Sequence, residues 1–166
     1  MYLYHRRPNE MSDTILRPLS GLPPEFQTRA LTKYEPNRKH FPEQQIGILG
    51  CKRKDVLWLT AVAPQKFKET LGSLGRKFSG KYFRVPVSLL IPSETAVLLY
   101  KAGTFEPCFD TFYPNNIEDY AEMPNSTRRY YHECEARGEA PFLHHGLVQV
   151  VYRGTICASD CSVVEV

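Results

Sequence analysis

The sequence predicts an α+β fold, in which one layer of helices covers a mainly antiparallel sheet. About six runs have the length and composition of strands, and three or four short segments have helical periodicity. Most of the strand runs are joined by short loops, which favours antiparallel pairing of neighbours. The elements also lack the strict alternation of strand and helix that builds a parallel sheet. The alternative is an all-β barrel or jelly roll with helical insertions.

The composition is that of an ordinary globular chain. Of the 166 residues, 42% are apolar and 23% are charged, which excludes collagen and differs from a coiled coil or a long disordered segment. No apolar run approaches the ~20 residues that span a bilayer, so we expect no membrane association. We expect residues 1–21, which are mixed polar without a sustained period, to form an extended arm. Residues 22–166 are long enough for one globular domain with its own core.

The cysteines do not suggest a disulfide framework. Their number is odd and their spacing is irregular, which favours reduced thiols. The N-terminus lacks the apolar core of a secretory signal, so we expect an intracellular protein, either cytoplasmic or nuclear. The cysteines are Cys51, Cys108, Cys134, Cys157 and Cys161.

The first part of the chain predicts one helix and one hairpin. Residues 24–34 place apolar side chains four positions apart, which is typical of one helical face. Residues 45–50 and 55–63 are β-rich runs on either side of a short loop with a glycine, which indicates a β-hairpin. The exposed tip of this hairpin would carry Lys52, Arg53 and Lys54.

The clearest helical pattern in the chain begins at Pro64, a residue that is favoured at the first position of a helix. Phe67, Leu71, Leu74 and Phe78 follow at positions i, i+4, i+7 and i+11. This spacing puts the four side chains on one side of a helix, and we expect them to lie in the core.

The remaining elements are shorter. Pro86 falls inside one of the predicted strands and indicates a bulge or a sheet edge there. A glycine at position 138 and a serine at position 126 are suited to the two ends of the last helix. The predicted strands cover residues 81–91, 95–101, 146–152 and 162–166, and the predicted helices cover residues 117–123 and 127–137.

The net charge of +3 hides an asymmetry along the chain. Residues 1–104 carry 17 Lys and Arg against 8 Asp and Glu, a net charge of +9, whereas residues 105–166 carry 4 against 10, a net charge of −6. Such a division is typical of a basic binding surface with an acidic region elsewhere. It also fits two halves that attract each other within one fold, and the sequence leaves both interpretations open.

The basic clusters give the strongest functional indication. Phosphate binding requires clustered Lys and Arg, and the binding of single strands adds aromatic side chains on which bases stack. We therefore expect a binding protein that is not an enzyme and needs no cofactor, whose basic face contacts RNA, single-stranded DNA or an acidic protein. The candidate anion-binding residues are Arg38, Lys39, Lys52, Arg53, Lys54, Lys66, Lys68, Arg76, Lys77, Lys81 and Arg84.

A hydrolase with a cysteine nucleophile is the first alternative. His145 stands just before a predicted strand and could serve as the general base for Cys108, with Asp110 to orient the imidazole. Against this hypothesis, Pro114 follows Cys108 too closely for a helix whose N-terminus would lower the pKa of the thiol.

Two further alternatives concern zinc and assembly. His132, Cys134, Cys157 and Cys161 have the side chains that zinc prefers, but they lack the paired spacing of a structural zinc site, so we expect no metal. The aromatic segment 105–113 and the last strand could instead dock the chain as a subunit of a larger complex or an oligomer.

Overall fold

The structure is a computed structural model, and it describes residues 1–8, 14–32, 34, 38–100 and 107–166. Part of the expected arm (residues 9–13) and the start of the aromatic segment, with Phe105, lie outside the described residues. The described ranges contain the helices α1 (Pro24–Leu31), α2 (Pro64–Gly72) and α3 (Asn125–Ala136). Their strands are β1 (Tyr2–Arg6), β2 (Ile15–Leu16), β3 (Gln45–Ile46), β4 (Cys51–Lys52), β5 (Leu57–Thr60), β6 (Lys81–Pro86), β7 (Thr95–Tyr100), β8 (Pro107–Thr111), β9 (Gln149–Tyr152), β10 (Ile156–Cys157) and β11 (Ser162–Glu165).

Seven of these strands form one open sheet in the order β11–β6–β1–β5–β9–β7–β8. Every neighbouring pair in it is antiparallel. Because β11 and β8 end the sheet, it is not a closed barrel. The predicted α+β fold is therefore confirmed, and the barrel alternative is wrong. Two small sheets, β10–β2 and β3–β4, complete the strand pairing in the described residues.

The first strand is an inner strand of the sheet, which differs from the extended arm expected for residues 1–21. Each residue of β1 has a partner in β6, from Tyr2 opposite Pro86 to Arg6 opposite Tyr82, and Tyr4 also pairs with Thr60 of β5. Leu3 is completely buried. The alternating pattern of Tyr-Leu-Tyr-His suits a strand with one apolar face, and its partners lie more than 50 positions away in the sequence.

The predicted hairpin between residues 45–50 and 55–63 is wrong. The chain reverses earlier, at a 3-10 turn that ends on Gly50 with a φ of +60°, so that β3 pairs with β4. Residues 53–55 form a second 3-10 turn, in which the Asp55 carboxylate accepts a hydrogen bond from the backbone N–H of Lys52. β5 then enters the main sheet between β1 and β9. The predicted basic tip is thus a half-buried turn at the side of the sheet.

The predicted helical stripe lies in the core, although the helix itself is shorter than the stripe. Phe67 and Leu71 of α2 are buried, and Leu74 and Phe78 reach the same cluster from the segment that follows the helix. Tyr131 of α3 packs there as well. The predicted helix over residues 127–137 matches α3, whereas residues 114–120 form two 3-10 turns instead of a helix.

Both faces of the sheet are covered. Val150 and Tyr152 of β9 belong to one core cluster, and Val151 between them belongs to another. All four residues of β9 are buried, as expected for a strand with packing on both sides. Within the described residues, no helix has the length and apolar character needed to cross a membrane.

Truncation of Leu3 tests the inner position of β1. We expect Leu3→Ala to lower the free energy of unfolding by about 2–5 kcal/mol, because the fully buried side chain would leave a cavity. Leu31→Ala is the matched control, since Leu31 at the end of α1 is 41% exposed and should change stability by no more than about 0.5 kcal/mol. Urea denaturation measures both, and equal small losses would contradict an inner β1.

Candidate functional site

The three cations of the predicted hairpin tip are held by intramolecular contacts. The ammonium groups of Lys52 and Lys54 lie 2.7 and 2.6 Å from the two carboxylate oxygens of Glu43. This pairing lowers the pKa of Glu43. The same charges would have to leave Glu43 before they could bind a phosphate. The tip is therefore a weaker candidate for anion binding than its sequence indicates.

Arg53 is surrounded by aromatic rings. Its guanidinium carbon lies 5.1 Å from the ring centres of Phe41 and Trp58 and 5.7 Å from that of Phe109. Its Nε is buried without a hydrogen-bond partner, and burial lowers the pKa of the guanidinium. Cation–π contacts of this kind stabilise a packed side chain. Arg53 consequently joins the turn to the sheet.

Several other predicted cations pair with the acidic part of the chain. Lys66 lies 2.5 Å from Glu122 and also donates to the carbonyl of Ala121. Arg76 pairs with Glu135, and Lys81 lies 3.5 Å from Glu165. All three pairs join the basic first part of the chain to the acidic second part. The charge asymmetry is thus in part internal complementarity.

The remaining predicted cations are not paired with a carboxylate in the contacts of the described residues. Arg38, Lys39, Lys68 and Lys77 are exposed. The guanidinium of Arg38 lies 5.1 Å from the ring centre of Phe142. Arg84 is half-buried, 3.6 Å from the ring centre of Tyr2. Of the eleven predicted residues, only these five and Arg53 have no carboxylate partner in the described contacts, and Arg84 among them is half-buried.

A groove brings two of them together with a cation that the sequence analysis missed. Its rim carries Arg6, Arg76 and Lys77, and its volume is about 390 Å³. Arg6 is the last residue of β1, and the other two belong to the segment between α2 and β6. The apolar floor consists of Leu71, Phe78, Pro141 and Leu143.

Arg6 could have been found from the sequence only if β1 had been recognised. The doublet Arg6-Arg7 directly follows the alternating pattern of Tyr-Leu-Tyr-His, so it marks the end of a strand. In the fold, Arg6 faces Tyr82 across the strand pair, and its guanidinium lies within 3.9 Å of the position that a Cβ would take on Gly80. The pairing of β1 with β6 thus places Arg6 next to the segment that contains Arg76 and Lys77.

Two buried polar atoms close to the groove floor have no hydrogen-bond partner among the residues that the structure describes. One is the hydroxyl oxygen of Tyr82, whose ring lies 6.2 Å from that of Phe78, and burial raises its pKa. The other is Nδ1 of His144, whose ring meets Phe67 edge-on at 5.7 Å. Buried polar atoms of native proteins usually have a partner, so these two atoms are exceptions.

His144 is an uncharged histidine at neutral pH. Burial lowers its pKa to about 4, and the nearby imidazole of His5 contributes to the decrease. Burial also lowers the pKa of His5. The Nδ1–H of His5 donates to the carbonyl oxygen of Trp58 at 2.9 Å, which fixes its tautomer. The positive charge of the groove therefore comes from its rim.

The loop that forms one wall of the groove is held against α3. The hydroxyl of Tyr131 donates to the carbonyl of Leu143, and the hydroxyl of Tyr130 accepts a hydrogen bond from the backbone N–H of Phe142 at 3.0 Å. The ring of His145 stacks on Tyr130 at 3.7 Å. The loop thus presents Phe142, which is 46% exposed, beside the groove.

The structure does not assemble the hydrolase arrangement of Cys108, His145 and Asp110. Cys108 lies in the edge strand β8 opposite Leu99, and the Asp110 carboxylate accepts a hydrogen bond from the backbone N–H of Thr111. β7 separates β8 from β9, which places the two backbones roughly 10 Å apart. His145 precedes β9, and its ring stacks on Tyr130 instead of meeting the thiol.

The structure does not assemble the alternative zinc site either. In the described ranges, no group of three or more His, Cys, Asp and Glu side chains could hold a metal ion. Cys134 is buried, and its sulfur accepts a hydrogen bond from Arg137 at 3.6 Å, whereas His132 is exposed. Cys157 and Cys161 flank a 3-10 turn, far along the chain from α3. All five cysteines are free thiols.

The chain matches no family model, no curated protein and no solved structure. The functional interpretation therefore depends on the geometry of the site. Within that geometry, the groove combines clustered cations with an apolar floor. These are the features by which an uncharacterised binding site is recognised.

The pH dependence of stability tests the burial of His144. Because its pKa is about 4 in the folded protein and about 6.5 in an unfolded chain, the unfolded state binds more protons between these values. Stability should therefore fall as the pH falls from about 6.5 towards 4, by up to about 3 kcal/mol from this residue. We expect His144→Gln to reduce the decrease, measured as urea midpoints at several pH values.

The control is His132→Gln, which removes an exposed histidine of α3. This variant should show the same decrease in stability as the unmodified protein over that pH range. Some decrease should also remain in His144→Gln, because the pKa of His5 is lowered as well. If the two variants lose stability equally on acidification, the burial of His144 is not responsible.

Proposed function

We propose that the protein is a binding protein for single-stranded nucleic acid, either RNA or single-stranded DNA, and that the groove holds part of the strand. The observation that carries this proposal is the convergence of Arg6 and Lys77 around an apolar floor, with Arg76 beside them in its ion pair with Glu135. The cations supply the electrostatic contact that phosphates require, and the floor accepts the apolar surface of a base or sugar.

The size of the groove supports one nucleotide as the unit that enters it. A volume of about 390 Å³ falls in the lower part of the range for small-molecule pockets, roughly 300–1,000 Å³. A longer strand would have to continue over neighbouring surface. Arg7 follows Arg6 at the end of β1, but its guanidinium lies 5.6 Å from the ring centre of Phe83 and does not line the groove.

The exposed ring of Phe142 favours a nucleic acid over an acidic peptide as the ligand of the groove. Its ring is 46% exposed and follows Pro141 of the groove floor, and the guanidinium of Arg38 lies 5.1 Å away. A planar base gains stacking energy from such a ring, on the order of 1–3 kcal/mol. A carboxylate of a peptide gains from the cations alone. An aromatic side chain beside a cationic groove therefore favours bases with phosphates.

Lys77→Gln tests the electrostatic part of the proposal. We expect weaker binding of a short fluorescent oligouridylate and a salt dependence whose logarithmic slope is smaller by about 0.7, because one phosphate contact is lost. Fluorescence anisotropy at several salt concentrations measures both quantities. Lys68→Gln is the matched control, since Lys68 is an exposed lysine of α2 outside the groove lining. It should keep the slope of the unmodified protein.

The outcomes of this experiment separate the alternatives. Equal losses in the two lysine variants would mean that the groove is not the contact surface. No binding of RNA or single-stranded DNA at low salt would overturn the proposal. If a polyglutamate peptide bound instead, with the same dependence on Lys77, the groove would be a site for an acidic protein.

Phe142→Ala tests the stacking part of the proposal. Loss of the ring should weaken binding of the oligonucleotide by about 1–3 kcal/mol, while the salt slope stays unchanged because no charge is removed. Tyr113→Ala is the control, since Tyr113 is 59% exposed and belongs to a turn that does not line the groove. The same anisotropy titrations measure both variants, and unchanged affinity of Phe142→Ala would exclude stacking on this ring.

A further inference from the structure

We propose that Ser79 is a phosphorylation site and that a phosphate on it closes the groove to anionic ligands. The effect on ligands depends on the proposed function, whereas the modification and the docking of the phosphate do not. Ser79 follows Phe78 of the groove floor and precedes Gly80, which lies against the guanidinium of Arg6. Nothing else in the 76–80 segment carries a hydroxyl group.

The backbone around Ser79 is accessible to an enzyme that binds extended segments. Residues 76–80 lie outside helices and strands, and Ser79 is exposed. The backbone hydrogen bonds of the segment lie near its ends. The backbone N–H of Arg76 donates to Leu71, and Gly80 exchanges two backbone hydrogen bonds with Val166, of 3.2 and 3.1 Å. A protein kinase that bound the three residues between these points would have to displace the ring of Phe78 from Phe67, but it would break none of these backbone hydrogen bonds.

The charges before Ser79 fit a kinase whose substrate groove is acidic. Arg76 stands three positions before the serine and Lys77 two positions before it. Kinases use such charge patterns to select substrates, since complementary charges attract and like charges repel. Lys77 is exposed, and Arg76 has to leave Glu135 to take part.

The chemistry requires a nucleoside triphosphate and an external serine kinase. The Ser79 hydroxyl oxygen attacks the γ-phosphorus, the bond from that phosphorus to the β,γ-bridging oxygen breaks, and the nucleoside diphosphate leaves. The hydroxyl proton passes to the catalytic base of the kinase. The product carries a charge of about −1.5 to −2 at neutral pH and three strong acceptor oxygens.

The phosphate would form beside the cations of the groove. Arg6 lies within 3.9 Å of the Cβ position on the next residue, and Lys77 is two residues away. Charge-assisted hydrogen bonds between arginine and phosphate are among the strongest that a protein forms. A docked phosphate would neutralise the rim and occupy the donors that the strand requires. Phosphorylation should therefore prevent binding of an anionic ligand.

Ser20 provides an internal comparison. It is also exposed, and Arg17 stands three positions before it, so the local sequence offers a similar charge pattern. However, Ser20 lies within the 3-10 turn Leu19–Gly21, and its carbonyl accepts a hydrogen bond from Gln27. Because its backbone is folded, we expect the kinase to modify it more slowly than Ser79.

The experiment incubates the full chain with ATP and a purified serine kinase that selects arginine three positions before the serine. Mass spectrometry of peptides should show Ser79 as the main modified residue, absent in Ser79→Ala. In ³¹P NMR, the second pKa of the phosphate should lie below its ordinary value of about 6, and Arg6→Gln should return it towards that value. The modified protein should bind oligouridylate at least about tenfold more weakly, whereas Ser79→Ala should bind normally.

Three results would overturn the proposal: no modification of Ser79 while Ser20 is phosphorylated, an ordinary phosphate pKa that Arg6→Gln does not change, or unchanged affinity after complete modification. A different failure would concern the proposed function alone. If the unmodified protein binds no oligonucleotide, the strand is not the ligand. The mass spectra and the phosphate pKa still decide whether Ser79 is modified and whether its phosphate docks in the groove.

Discussion

The position of β1 inside the sheet is the constraint on which the rest of the fold depends. On one side β1 pairs with β6 over five residues, and on the other it pairs with β5. Without it, β6 and β11 would have no connection to the other four strands of the sheet. The same strand buries Leu3 in the core and ends with Arg6 at the rim of the groove. The groove therefore requires β1 in its place within the sheet.

Internal pairing determines which cations remain for a ligand. Ion pairs that water reaches, such as Lys52–Glu43 or Lys66–Glu122, contribute little to stability, because the solvent screens their charges. Their larger effect is to compensate charge locally, so that the basic first part of the chain does not present one continuous basic surface. The groove differs, because only Arg76 on its rim has a carboxylate partner in the described contacts. The positive potential is thus concentrated at a small site.

The sequence predicts what depends on local periodicity. The stripe of α2 and the C-terminal end of α3 depend on side chains within a few turns, and both agree with the structure, with Gly138 at a φ of +67° after the helix. The expected cap at Ser126 is wrong, because the helix begins at Asn125 and Pro124 precedes it. Strand pairing is different, because β1 and its partners are separated by more than 50 residues and no local signal records that contact. The alternating pattern of β1 fits a strand, but five residues do not show from the sequence alone whether that strand pairs inside a sheet or extends as an arm. The turn at Gly50 was misplaced for a related reason, since two-residue strands carry no period.

The groove could not be predicted from the sequence, since its walls come from three distant segments. Clustering along the chain selected Arg76 and Lys77, but it selected Lys52 and Lys54 with equal strength, and these two pair with Glu43. What distinguishes the two sets is the surrounding fold. Both lysines of one set pair with Glu43, whereas in the other set only Arg76 has a carboxylate partner in the described contacts, and an apolar floor lies beside it. Clustering along the sequence therefore identifies groups of cations, but it does not show which of them are already paired with a carboxylate in the fold.

Two buried polar atoms, in Tyr82 and His144, lie close to the groove floor. Leaving a buried donor or acceptor without a partner costs on the order of 1–3 kcal/mol, and Tyr82 and His144 both do so in this one region. With its pKa near 4, His144 is neutral at physiological pH, so it adds no charge to the floor. In the proposed complex, the phosphate would lie at the cations of the rim, and the base would pack on the apolar floor beside them.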